Sequence, residues 1–299
     1  MHPDEADSIR TELDPAFEIK RPTETTLPLI FNSPHSGRVY PKSFLAASKL
    51  DPLTLRRSED CFVDELFGFV TGFGAPLLMA HFPRAYLDVN REPYELDPVL
   101  FGDGLPHYAN TQSVRVVGGL GTIARIVSES DEIYREPLSV AAALERINLI
   151  YAPYHETLNG LLTEAQAKFG AAILIDCHSM PSSPMADYNG VRPDFVLGDR
   201  YGTACHAELI QLAAQQLRSL GYVVSLNKPY AGGYITEHYG RPQQGRHALQ
   251  VEINRALYMD ESSFAKTSGF ARLEADLHQM VQALIAYAGG LELPRAAAE

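Results

Sequence analysis

The sequence predicts one α/β domain built on a mixed or mostly parallel sheet, and three observations carry that reading. Short apolar runs alternate with helical patterns along the chain. The cleanest run, AAILIDCHSMP at residues 171–181, holds its polar residues back to its C-terminal end, as a strand covered on both faces does. No internal repeat or low-complexity linker breaks the alternation, and a chain of 299 residues buries roughly 75% of its unfolded surface in such a core. The expected layout is a single domain over 1–299, with a polar arm or edge strand at 1–24 and a tail at 290–299.

The elements follow in order. TLPLIFNSP (residues 26–34) is an apolar run stopped by Asn, Ser and Pro and reads as the first buried strand. Residues 59–73 put Phe62, Leu66, Phe69 and Val70 at helical spacing, with Ser58 as the expected N-cap. PLLMAHFPR and YLDVNR, within residues 76–91, read as one or two strands. Residues 92–130 are rich in Gly, Pro and Asp with little periodicity, so a long loop with short strands is expected there. Loops of that kind tend to carry function, and whether this one closes over a substrate is left open by the sequence. Leu138, Ala142, Leu149, Tyr154, Leu158 and Leu162 recur at helical steps between Pro137 and Phe169, with a kink expected at Pro153 and a C-cap at Gly170. A helix over 202–220 ending at Gly221, a strand over 222–227, the Gly-rich loop YAGGYITEHYG, a core strand over 247–255 and a helix over 262–288 complete the chain.

The bulk chemistry excludes several classes. A formal net charge of −12 repels phosphate backbones and anionic membranes, so neither nucleic acid nor membrane is an expected partner. Cys61, Cys177 and Cys205 are too sparse for a disulfide framework or a CxxC knuckle. The first residues, MHPDEADSIRTELDP, lack the basic-then-apolar order of a signal peptide, and no window offers the roughly 18 apolar residues of a span. A cytoplasmic location is expected. HExxH, GxGxxG, the P-loop and GxSxG are all missing.

The informative feature is where polar side chains fall. His35 follows LPLIFNSP, His178 follows AAILIDC, and Glu252 lies within ALQVEIN, each near the end of an apolar strand. Strand C-termini face the ligand crevice in α/β sheets. Imidazoles and carboxylates gathered there suit a catalytic zinc with one position left for water. A carboxylate close by then serves as general base, the role that fits Glu252. A hydrogen-bonded loop position for each His, and an outward solvated position for Glu252, are the plainer alternatives.

SPHSG, ED before an aromatic-rich helix, YLDVNRE, YREPLS, YAPYH, IDCHSMP, GGYITEHYGRP and LQVEINR, in that order over about residues 25–260, resemble the N-formylglutamate amidohydrolase family. That family is similar to carboxypeptidase-type zinc exopeptidases, which implies a mixed-sheet α/β/α sandwich and a bound Zn²⁺ or another divalent metal. By resemblance His35 is the first ligand, His178 the third and Glu252 the general base. The second ligand departs from the exopeptidase pattern. Its usual Glu, three residues after the first His, is here Arg38, which has no acceptor for a metal. Asp60 is the expected replacement, with Glu59 and Asp64 as alternatives; Asp60 also reads as a first-turn acid facing the helix dipole.

The implied substrate is a small acidic N-acyl amino acid, N-formyl-L-glutamate, cut to formate and L-glutamate at the end of a histidine-degradation route. Its carboxylates need Arg forks, and Arg84, Arg91 and Arg135 are the candidates. Asn90, Gly233, Thr236 and His238 are the expected polar or close-approach contacts, and Asp88 is expected to orient an Arg. Three rivals stand beside this reading: an amidohydrolase for another N-acyl or formimino amino acid, a metal-free binding protein on the same fold, and a cysteine-dependent amidase through Cys177. Oligomeric state is left open.

Overall fold

The structure, a computed structural model, describes residues 5–127, 131–182 and 192–290. The expected C-terminal tail falls almost wholly outside them. Chain contacts divide the protein into two compact units, each assembled from three stretches: Met1–Glu18, Pro34–Cys61 and Met79–Leu158 in the first, and Ile19–Ser33, Phe62–Leu78 and Asn159–Glu299 in the second.

The expected α/β class with a mixed sheet is what the chain adopts. Seven strands form the main sheet: β1 (Phe17–Lys20), β2 (Leu29–Ser33), β3 (Leu77–Ala80), β6 (Ala172–Met180), β7 (Phe195–Gly198), β8 (Val224–Leu226) and β9 (Arg246–Asn254). They run in the order β1-β3-β2-β6-β9-β7-β8. The hairpins β4 (Ile126–Val127) with β5 (Asp131–Glu132), and β10 (Met259–Asp260) with β11 (Ala265–Lys266), lie apart from it. β1, at the sheet's edge, is the edge strand expected within 1–24.

In the second unit β2, β6 and β9 are parallel neighbours, and every residue of β2 and β6 is buried. That explains their unbroken apolar runs. β7, which apolar periodicity did not reveal, pairs antiparallel with β9 and makes the sheet mixed. Its Gly198 is a close-approach position: a Cβ there would come within 2.6 Å of the Ala231 backbone. Helix α8 (Ala207–Ser219) buries Leu209, Ile210, Ala213, Ala214 and Leu217, and α10 (Gly269–Gly289) buries Leu273, Leu277, Met280, Val281 and Leu284. Both are amphipathic stripes of helical period. α8 and α10 start later than the sequence pattern suggests, because His206 and Ser268 are the caps and residues 259–266 form the hairpin.

The helix expected over 59–73 is interrupted. α4 covers Val63–Leu66 alone, followed by a 3₁₀ turn over Gly68–Phe73. Its N-cap is Phe62 in the left-handed region (φ 64°), and the Ser58 hydroxyl donates to Leu55 O instead of capping. Asp60 therefore stands before the helix and is not the first-turn acid of the expected helix.

In the first unit the arm expected at the N-terminus includes helix α1 (Glu5–Glu12), which buries Ala6, Ser8 and Ile9. The reason is Arg146, at the end of α6 (Val140–Arg146) and 2% exposed, whose Nε donates to Glu5 Oε1. The guanidinium lies 3.9 Å from the Tyr86 ring centroid and donates to Tyr86 O at 3.1 Å and Tyr134 Oη at 2.9 Å. A buried cation needs such partners, and Glu5 supplies the countercharge. The short helices α2 (Lys42–Ala47), α3 (Pro52–Arg56) and α5 (Val114–Val117) belong to this unit, with Asp51 and Ser113 capping the last two.

α6 continues through a π-turn at Ile147–Tyr151 into α7 (Ala152–Phe169). The irregularity sits just before Pro153, where a proline disrupts the ordinary ladder. Gly170, at φ 76°, closes α7 as expected. Among the described residues no helix is long and apolar enough to cross a membrane.

Candidate functional site

In the first unit the site begins at His35, two residues beyond β2 and 1% exposed. Its Nε2 lies 2.9 Å from Asp88 Oδ1 and its Nδ1 lies 3.4 Å from Asp60 Oδ2. The Asp60 backbone N–H donates to His35 O at 2.9 Å, which fixes the two residues side by side. Gly37 lets this turn pass close to the chain at His81–Phe82, where a Cβ would meet Phe82 O. A carboxylate behind one ring nitrogen fixes the imidazole tautomer and leaves the other nitrogen to act as a ligand, the arrangement found behind zinc-bound histidines.

Asp88 is the hub behind His35. The strand expected over 86–91 is replaced by a turn in which Asp88 Oδ1 accepts the Asn90 N–H at 2.8 Å. Asp88 and Asn90 therefore do not share a strand face. Arg84 Nε donates to Asp88 Oδ2 at 2.9 Å, and Arg91 Nη2 lies 3.5 Å from the same oxygen. Burial alone would raise the Asp88 pKa; Arg91, Arg84 and His35 outweigh it and hold the carboxyl well below its usual range. Asp88 is thus a fixed anion at neutral pH.

The arginines expected to grip substrate separate clearly. Arg91 is buried, and its Nε and Nη1 donate to Leu120 O and Asn90 O, both at 2.8 Å. Burial pulls its pKa down to about 10, with Asp88 working against that, and it stays cationic. Those contacts make it a brace for the Asp88 turn. Arg84 is more open, its side chain 29% exposed. Arg135 is exposed and donates through Nε to Ser48 O at 2.9 Å.

The alternatives for the second ligand look different from Asp60. Glu59 is buried with its carboxylate taken: Arg56 Nε lies 3.1 Å from both oxygens, Tyr40 Oη donates to Oε1 at 2.7 Å, and the Cys61 thiol faces Oε2 at 3.1 Å. Asp64 stands on α4 in the second unit, half-buried.

The second unit carries His178 and Glu252 on one face of its sheet. His178 is the seventh residue of β6 and pairs in parallel register with Glu252, the seventh of β9. Paired residues of parallel strands point to the same side. Two residues upstream, Asp176 pairs with Gln250 and, on its other flank, with Asn32 of β2. Asp176 is fully buried; its Oδ2 lies 3.0 Å from His178 Nε2 and its Oδ1 accepts from Asn32 Nδ2 at 2.7 Å. His178 thus has the same carboxylate backing as His35. Glu252 is 8% exposed, and its Oε1 accepts from Gln250 Nε2 at 2.8 Å.

The Gly-rich segment is helix α9 (Tyr234–Tyr239), with Gly233 as N-cap, and this separates the residues expected on a loop. Thr236 is buried, with Oγ1 3.5 Å from Gln250 Oε1, and the Gly233 N–H donates to that oxygen at 2.7 Å. His238, two residues along the helix, is exposed and stacks on Tyr234 at 5.0 Å. Thr236 and Gly233 are brought together, and His238 is not.

His155 binds Val89 O through Nε2 at 2.8 Å, a structural role. Burial, then Asp176, pushes the Cys177 thiol well up, which removes the thiolate a cysteine nucleophile needs. Sequence reasoning missed Gln250, Asp176 and Asn32. The signal was the polar alternation Gln250, Glu252, Asn254 in β9 and Asp176, His178 in β6, which marks one face of each strand.

The family model described as N-formylglutamate amidohydrolase matches residues 27–259. The chain is 31% identical over 268 residues to an N-formylglutamate deformylase of Pseudomonas aeruginosa, covering 87% of this chain and 94% of that protein. It is 29% identical over 266 residues to a Pseudomonas putida protein of the same name, covering 87% and 93%. A crystal structure of N-formylglutamate amidohydrolase from Ralstonia eutropha superposes with a TM-score of 0.85 at 36% identity, covering 92% of this chain and 98% of that one. Taken with the geometry of the two strand ends, these matches place the chain in the N-formylglutamate amidohydrolase family.

Proposed function

We propose that this protein hydrolyses the formyl amide of N-formyl-L-glutamate, giving formate and L-glutamate, in a zinc-dependent reaction that closes a histidine-degradation route. The observation that carries the reading is family membership over most of the chain together with two buried histidines that each rest one ring nitrogen on a carboxylate. His35, Asp60 and His178 each offer one ligand atom from a buried side chain and are the proposed metal ligands. Their chemistry fits: imidazole nitrogens and one carboxylate oxygen are the donors a catalytic zinc takes.

When bound, the zinc ion supplies a water of lowered pKa and polarises the amide carbonyl. Glu252 takes the proton of the attacking water and passes it to the leaving amine. Asp88 and Asp176 hold the two imidazoles in the tautomer that presents Nδ1 as the ligand atom. Arg84 is the favoured partner for a substrate carboxylate, with Arg135 and Asn90 as further contacts. Arg91 acts through Asp88. Thr236 and Gly233 act through Gln250, and a substrate contact for His238 has little geometric support.

Asp88→Asn tests the backing carboxylate. It is expected to weaken zinc binding by roughly 10–100-fold with the fold kept. Competition with a coloured chelator reads this; an unchanged affinity removes Asp88 from the mechanism.

The function itself is tested by a panel of N-formyl-glutamate, N-formyl-aspartate, N-acetyl-glutamate and N-formimino-glutamate, with formate and free amine measured beside zinc content. Fastest turnover of N-formyl-glutamate by zinc-loaded protein is expected. Turnover of a different panel member reassigns the substrate, and binding without turnover supports a binding protein instead.

A further inference from the structure

Gln250 is a buried amide that neither the ligand set nor the proton transfer uses. It is 4% exposed and lies in β9 two residues before Glu252, on the same face. Its two ends are not interchangeable. The Gly233 backbone N–H, 2.7 Å from Oε1, is a donor only. The Glu252 carboxylate, 2.8 Å from Nε2, is an acceptor when ionised. A flipped amide would set donor against donor at Gly233 and acceptor against acceptor at Glu252. One orientation satisfies both, so the amide's direction follows from chemistry.

The Gly233 end is itself held. Gly232 has φ 114°, a conformation side chains rarely take, and Gly198 lets the 231–232 backbone lie close over β7. Gln250 is thus strung between a rigid turn and one oxygen of Glu252.

We propose that Gln250 is the positioning residue of this reaction: its amide, anchored on the Gly233 N–H, donates to Glu252 Oε1 and locks the Glu252 carboxylate in the rotamer from which it takes the proton. The inference rests on Glu252 being the general base. It predicts a loss in turnover rather than in substrate binding, since Gln250 bears on the reaction through Glu252.

Three variants test it, each measured as kcat and KM per zinc-loaded chain, with melting temperature alongside. Gln250→Met keeps the volume and removes both hydrogen bonds. Gln250→Glu keeps an oxygen for the Gly233 N–H, removes the donor to Glu252 and sets like charge against it. Glu252→Gln tests the underlying reading. Assayed at about pH 8.5, well above the ordinary carboxylate range, both Gln250 variants are expected to lose about 10–100-fold in kcat with KM within about threefold, the size of effect a misplaced catalytic group produces. If Gln250 only tied down the Gly233 turn, Gln250→Glu would turn over like the parent while Gln250→Met lost melting temperature, and the proposal would be overturned. A Glu252→Gln variant that keeps parental kcat refutes the base assignment itself. An inactive Glu252→Gln with fully active Gln250 variants refutes the positioning role alone.

Discussion

His178→Ala is expected to purify with almost no zinc and the parent chain with about one ion, because a catalytic zinc has three protein ligands and loss of one leaves too few to hold it. Elemental analysis of gel-filtered protein reads this directly. The variant carries a side effect that the structure makes explicit. Asp176 is fully buried and divides its oxygens between Asn32 and His178. Removing the imidazole leaves one Asp176 oxygen without that partner, at a cost of about 1–3 kcal/mol. His178→Asn, whose side-chain amide can still face Asp176, separates the two effects: zinc loss in both variants, with a lower melting temperature chiefly in His178→Ala. Full zinc occupancy in both would remove His178 from the ligand set.

The second large effect is expected at Glu252. Glu252→Gln keeps the shape of the side chain and an oxygen to accept the Gln250 amide. The variant loses a group able to take a proton. kcat is expected to fall by about 10²–10⁴-fold, the usual contribution of a general base. Zinc content and KM are expected to stay near parental values if Glu252 serves as the proposed base and is neither a metal ligand nor a substrate contact. A loss confined to KM would turn Glu252 into a binding residue, and zinc loss would make it a ligand.

Much of this was legible in the chain, for physical reasons that differ by element. β6 announced itself because both of its faces are buried, so every residue up to its functional end had to be apolar. His178 and Glu252 were legible because they are polar residues at the ends of such runs. α1 was not legible: its burial depends on Arg146, more than a hundred residues away, and a polar octapeptide gives no local sign of that. The helix expected over 59–73 had the right period, but Phe62 takes a left-handed conformation and Gly68 and Gly72 lower the helical propensity of the segment beyond Leu66, so tertiary demands override the pattern. The strand expected at 86–91 gave way to a turn because the Asp88 side chain captures a neighbouring N–H, a competition that apolar alternation cannot register. Gln250 escaped notice because a neutral amide carries no chemistry of its own; its meaning lies in the groups at its two ends.

The Glu5–Arg146–Tyr86 cluster has a practical consequence. Arg146 grips the backbone carbonyl of Tyr86, two residues before Asp88, and depends on Glu5 for its countercharge. The opening helix therefore underpins the turn on which Asp88 stands. An engineer who trims that helix to tidy the N-terminus, or fuses a rigid partner against it, strands a cation in the interior and loosens the ground beneath His35's carboxylate. Shortened versions of the enzyme should be judged by how well they bind the proposed zinc as well as by their yield.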